Sequence, residues 1–136
     1  MHFTLVRQRG YNDCGVAALA TIANFHGIVV DYISLGNALD LGPDGTDLLT
    51  IARAAKGIGL HTQGVEAPFE ALRTCPLPAI AQFVSWLGTR HFVIVVAWAP
   101  KHVVIGDPAD GLSTLSRRAF LRRHSGYLLL LRPWTR

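Results

Sequence analysis

Gln8-Arg9-Gly10-Tyr11-Asn12-Asp13-Cys14-Gly15-Val16-Ala17-Ala18-Leu19 sets a cysteine at the mouth of a long apolar run. From Cys14 to Phe25 the only polar side chains are Thr21 and Asn24. A segment apolar on nearly every face, without internal proline and followed by Gly27, predicts a buried central helix over residues 13–26. Asn12 or Asp13 is positioned to cap it, since either side chain can accept from the unpaired amides of the first turn. Cys14 then lies in that first turn, where the helix dipole and free N–H groups favour thiolate over thiol. A buried helix opening on a cysteine can hold a nucleophile rigidly. A lone cysteine also fills space in many cores, so Cys14 is a candidate only until it finds partners.

Composition narrows the classes. The 136 residues suit one domain, 1–136, able to bury a core without staples. Half are hydrophobic and 16% are charged, which excludes disorder for most of the chain. No window approaches the roughly 18 apolar residues that would span a bilayer. The first seven residues, Met1-His2-Phe3-Thr4-Leu5-Val6-Arg7, lack the pattern of a signal peptide, so a cytosolic setting is expected. Two cysteines make no disulfide framework; counting leaves a Cys14–Cys75 bridge open, though no secretory signal supports one. Neither paired cysteines nor histidines at helical spacing suggest a metal, and no cofactor is expected. The net charge of +4 rests on eleven Arg and two Lys, six of the Arg between Arg117 and Arg136. No recognisable nucleic-acid motif accompanies them, so nucleic acid is not an expected partner. A solvated helix face, or a contact for an acidic peptide or neighbouring domain, fits better.

In chain order, residues 3–7 are expected as a short strand or extended arm. Asp31 caps a second helix to about Leu39, with Ile33, Leu35 and Leu39 as apolar contacts. Gly42-Pro43-Asp44-Gly45-Thr46 is dense turn chemistry. Thr46 or Asp47 caps a third helix, ending at Gly57, with Leu48, Leu49, Ile51, Ala52 and Ala55 apolar. The second half turns to strands at 60–65, 79–84, 91–98 and 102–105, with a helical turn at 68–72. A basic helix begins at Ser116 or Arg117, Gly126 stops it, and 127–131 form a last buried strand. Helices followed by an antiparallel sheet make an α+β arrangement.

His91 begins the apolar strand, and Asp107-Pro108 ends the next one after Val103-Val104-Ile105-Gly106. Strands joined at Pro100-Lys101 run side by side, so both residues fall at the far end of one hairpin. A carboxylate there can hold one ring nitrogen and leave the other for a thiol. Each residue alone is ordinary: a strand-end histidine, and a turn aspartate before proline. Together with Cys14 they form an activated-nucleophile set.

These residues resemble the bacteriocin-processing cysteine peptidases that cut double-glycine leaders, usually as the amino-terminal domain of peptide-exporting ABC transporters. Gln8 stands six residues before Cys14, as the family's oxyanion-hole glutamine precedes its nucleophile. Asp13-Cys14-Gly15 looks like the nucleophile motif, and His91-Phe92-Val93-Ile94-Val95 and Asp107-Pro108 look like the His and Asp motifs. Each is short; four in register over essentially the whole chain are specific. The resemblance implies a papain-like fold, with Cys14 as nucleophile, His91 as general base and acid, Asp107 as orienter and Gln8 as oxyanion donor. It further implies a cysteine endopeptidase that cleaves a precursor's leader peptide after a Gly-Gly type motif. The partners implied are that leader peptide and the transmembrane and nucleotide-binding domains of an ABC transporter, at the cytoplasmic face of the membrane. Two alternatives stand beside it: a catalytically silent peptidase-like domain that binds export substrates, and a papain-like amidase or acyltransferase. Silent relatives lack the nucleophilic cysteine, which this chain keeps. Arg132-Pro133-Trp134-Thr135-Arg136 reads either as a linker stub or as a native end.

Overall fold

The computed structural model describes residues 3–66 and 68–134. The first half is helical: α1 (Cys14–Phe25), α2 (Tyr32–Ala38) and α3 (Leu48–Gly57). Every residue of α1 from Cys14 to Ala23 is buried, as an all-round apolar run requires. Its buried hydroxyl is satisfied, because Thr21 Oγ1 donates to Ala17 O (2.8 Å) and accepts from Val6 N (2.9 Å). That second bond docks the amino-terminal arm, which runs over residues 3–7 without pairing into a strand.

Gly15 sets how closely α1 can approach its neighbours. A Cβ there would lie 2.8 Å from Thr46 Cγ2 and 3.1 Å from Ile51 Cδ1. Helices α2 and α3 begin on side-chain caps: Asp31 accepts from Ser34 N and Asp47 from Thr50 N. Leu35, Leu39, Ile51 and Ala55 are buried, whereas Ile33 and Leu49, expected to make apolar contacts, are exposed.

Six antiparallel strands follow: β1 (Leu60–Glu66), β2 (Ala79–Val84), β3 (Arg90–Trp98), β4 (His102–Asp107), β5 (Gly111–Ser116) and β6 (His124–Pro133). A 3₁₀ turn (Phe69–Thr74) precedes β2, and α4 (Arg117–Arg123) precedes β6. The sheet order is β1-β6-β2-β3-β4-β5. One face packs on the core around α1 through Ile80, Phe92, Ile94, Leu129 and Leu131. The other carries Val93, Val95, Val103, Ile105 and Leu128 against Phe69, Leu72 and Phe120 of α4. Cover on both faces explains why residues 92–95 are apolar without alternation. The architecture is the expected α+β one.

Three details depart from the sequence reading. β5 is an extra strand: it lies at the sheet edge with Leu112, Ser113 and Thr114 exposed, so no buried pattern announces it. The basic helix starts on Ser116, which accepts from Ala119 N, but Gly126 does not stop it. β6 has already begun at His124, and Gly126 sits inside that strand at φ 100°, a conformation glycine tolerates at a bend.

Candidate active site

Cys14, at the first position of α1, and His91, near the start of β3, line one cleft of 790 Å³. Its walls come from Tyr11 and Asn12 before α1, from residues 43–46, and from residues 87–90. His91 Nε2 and Asp107 Oδ1 are 2.7 Å apart. Asp107 Oδ1 also accepts from Ala109 N at 2.8 Å, which fixes the carboxylate. With Nε2 engaged, Nδ1 is the ring nitrogen left for chemistry.

A bulge interrupts the hairpin that carries this pair. Ala99 and His102 exchange backbone hydrogen bonds around Pro100-Lys101, and Trp98 pairs with Val103. The register then shifts between Val95 and Ala97, so that Ile94 pairs with Gly106. Asp107 follows Gly106 at the end of β4, beside the start of β3 where His91 stands.

The hydrogen bond to Asp107 is the largest influence on His91, followed by the neighbouring Cys14 thiol, and together they push the ring's pKa up to about 10 against the effect of burial. Burial alone would raise the pKa of Asp107, but the bonds from His91 and from the Ala109 and Asp110 amides hold it below the usual range. Cys14 and Cys75 are both free, so no bridge joins them.

Gln8 lies in the loop before α1 and is tied to the residue after Asp107. Its backbone N–H donates to Pro108 O (3.0 Å), and its Nε2 donates to Gly10 O (2.6 Å). Arg7 reinforces the tie, with Nε and Nη2 donating to Pro108 O and Ala109 O. Gln8 does not line the cleft itself. One Nε2 hydrogen remains free for an acceptor.

Neither Asn12 nor Asp13 caps α1. Asp13 holds the cap position, but its carboxylate turns back into the preceding loop. It accepts from Arg9 N and Gly10 N (both 2.8 Å) and from Tyr32 Oη (2.6 Å). Burial opposes its charge, yet these bonds outweigh burial and keep its pKa lowered. Asn12 Nδ2 instead donates to Gly42 O (2.9 Å), joining the loop to the 42–46 turn. Tyr32, Arg7 and the 87–90 wall carry no functional signal in the sequence; of the walls, 42–46 is marked there only as turn chemistry.

With this geometry in view, the likenesses to known proteins are informative. The peptidase C39 family model matches residues 2–135. Pediocin PA-1 transport/processing ATP-binding protein PedD of Pediococcus acidilactici is 29% identical over 97% of this chain and 19% of its own length. The crystal structure of the peptidase domain of Streptococcus ComA, a bi-functional ABC transporter involved in a quorum sensing pathway, superposes with a TM-score of 0.90. It is 27% identical and covers 98% of this chain and all of that one. A double glycine motif protease from an AMS/PCAT transporter, solved in complex with the leader peptide, gives 0.89 at 25% identity. The match covers 98% of this chain and 93% of that one. The chain spans about a fifth of the length of the transport/processing relatives it matches.

Proposed function

The chain belongs to the peptidase C39 family, and from that premise we propose that residues 1–136 form one papain-like domain acting as a leader-cleaving cysteine endopeptidase. The observation that carries this reading is the placement of Cys14 and His91 in one cleft, with Asp107 on the far nitrogen of the ring. Double-glycine leader proteolysis, named for one structural relative, and transport with processing, named for PedD, support the substrate class.

Cys14 Sγ attacks the carbonyl before the scissile bond as a thiolate paired with the charged His91 ring, which already holds its proton at neutral pH. Asp107 holds the ring and favours that charged form. The developing oxyanion is met by the free N–H of Gln8 Nε2, a neutral donor that stabilises charge without protonating the thiolate. Collapse expels the amine, which takes its proton from His91. Water, deprotonated by the same ring, then hydrolyses the thioester.

The partners are the leader of a peptide precursor and the membrane and nucleotide-binding parts of an ABC transporter, with the domain at the cytoplasmic face. Two glycines offer almost no side-chain surface, since one methylene is worth only about 1–3 kcal/mol of discrimination. Affinity therefore comes from an apolar helical segment upstream, laid in a groove.

Three peptides test this: a full leader ending in Gly-Gly, a short one around Gly-Gly, and a full leader with its apolar positions changed to Asn. The full leader is expected to be cut well by the wild type, not by Cys14→Ala, and the other two poorly. Cleavage by Cys14→Ala would overturn the mechanism. Equal cleavage of the short peptide would overturn recognition at a distance.

A further inference from the structure

The loop from Gln8 to Asp13 carries the proposed oxyanion donor at one end and leads into the nucleophile at the other, yet it has little apolar packing. Arg9, Gly10 and Tyr11 are exposed, Tyr11 by 81%. Its shape depends instead on hydrogen bonds, three of which converge on one carboxylate. Asp13, only 7% exposed, gathers the amides of Arg9 and Gly10. Gln8 Nε2 in turn donates to the carbonyl of that same Gly10. Among the described residues, the side-chain bond tying the Asp13 carboxylate to anything outside its loop comes from Tyr32 Oη.

Tyr32 is a suitable anchor. It opens α2, whose start is capped by Asp31 and whose Leu35 is buried in the core. The Arg9 guanidinium lies 4.1 Å from the centroid of its ring, a cation–π contact that closes the loop over it. A donor is effective only when held in place before charge develops, which requires support from a rigid element.

We infer that Tyr32 is a positioning residue for the oxyanion donor Gln8, acting through the Asp13 carboxylate and the Gly10 peptide. The inference rests on the role given to Gln8 under the proposed function. Tyr32 touches no reacting atom. Removing its hydroxyl releases Asp13, loosens the turn at Gly10 and lets the Gln8 amide wander.

The test is Tyr32→Phe, which removes one oxygen, measured on a full leader peptide alone and combined with Gln8→Ala. Tyr32→Phe is expected to lower kcat about ten-fold, less than the 10²–10³-fold cost of losing an oxyanion donor outright, with KM within about two-fold. Alkylation of Cys14 by iodoacetamide should proceed at the wild-type rate, which also reports an intact fold. In the Gln8→Ala background the same change should cost less than about two-fold, because there is no donor left to position. Asp13→Asn, whose amide weakens the same bonds, should behave alike and serves if Tyr32→Phe folds poorly. Wild-type kcat for Tyr32→Phe, or an equal loss with and without Gln8, overturns the inference while the peptidase reading stands. Wild-type turnover by Gln8→Ala instead overturns the oxyanion role itself, and this inference with it.

Discussion

The backbone N–H of Gln8 donates to the carbonyl oxygen of Pro108 at 3.0 Å, tying the arm before the nucleophile to the residue directly after Asp107. The two ends of the site are thus cross-braced, though they stand 100 positions apart in the sequence. Helix α1 supplies Cys14, the β3–β4 hairpin supplies His91 and Asp107, and this bond sets the distance between their supports.

Gln8→Ala removes the side chain but keeps that brace, so it isolates the amide. It is expected to lower kcat by roughly 10²–10³-fold with little change in KM, because an oxyanion donor acts in the transition state. A rise in KM alone would make Gln8 a substrate-binding residue. Steady-state kinetics on one leader peptide decides.

Of the two thiols, Cys14 should be alkylated first. It lines the cleft beside His91, whereas burial pushes the Cys75 thiol's pKa up and leaves it a poorer nucleophile at neutral pH. Limiting iodoacetamide followed by peptide mapping reads the order. Labelling of Cys75 first, with Cys14→Ala still turning over, would remove Cys14 from the mechanism.

Asp107→Asn should retain more activity than His91→Ala. An Asn oxygen can still accept from His91 and from Ala109 N, the two bonds that Oδ1 accepts now. Loss of the ring removes proton transfer itself, a contribution of about 10²–10⁴-fold. Comparison of kcat/KM for both variants on one peptide checks it; equal or reversed losses would mean that Asp107 does more than orient.

Stability should fall as pH rises from near 6.5 toward 10. His91 has its pKa raised on folding, from 6.5 to about 10, chiefly by Asp107 and then by Cys14. Between those values the folded chain holds a proton that the unfolded chain has released, so the contribution is complete below the lower value and lost through the upper. Asp107, lowered from 3.8, acts in the opposite sense: its contribution is present above that value and fades as acid protonates it. Urea unfolding across this range should show a shallower alkaline loss for His91→Ala than for the wild type. Parallel curves would show that the ring's proton is not linked to folding.

Much of this was legible because it is local. An apolar run with no polar face has no stable place but the interior, so Cys14–Phe25 announces α1 and its burial together. Strands β2, β3 and β4 are largely apolar runs between turn residues, and the two-residue turn at Pro100-Lys101 brings β3 and β4 together. Neighbourhood of His91 and Asp107 at one end of that hairpin follows from counting. The edge strand β5 was invisible, because a strand paired on one side with a solvated exterior needs no hydrophobic alternation.

Whether the pair could meet was beyond counting. Side chains alternate with period two, so the single residue inserted between Val95 and Ala97 changes which residues of β3 stand opposite those of β4. Nothing in Phe92-Val93-Ile94-Val95-Val96-Ala97 marks one position as the bulge, since every candidate is apolar. The same holds for Asp13. Its sequence position predicted a helix cap, but a carboxylate bonds wherever donors converge, and Tyr32, nineteen residues later, is brought there only by the packing of α2 on α1. Sequence by itself determined which groups this protein has for its chemistry and which elements carry them. Tertiary structure alone decided which way they point, because direction depends on register and packing between segments that share no local signal.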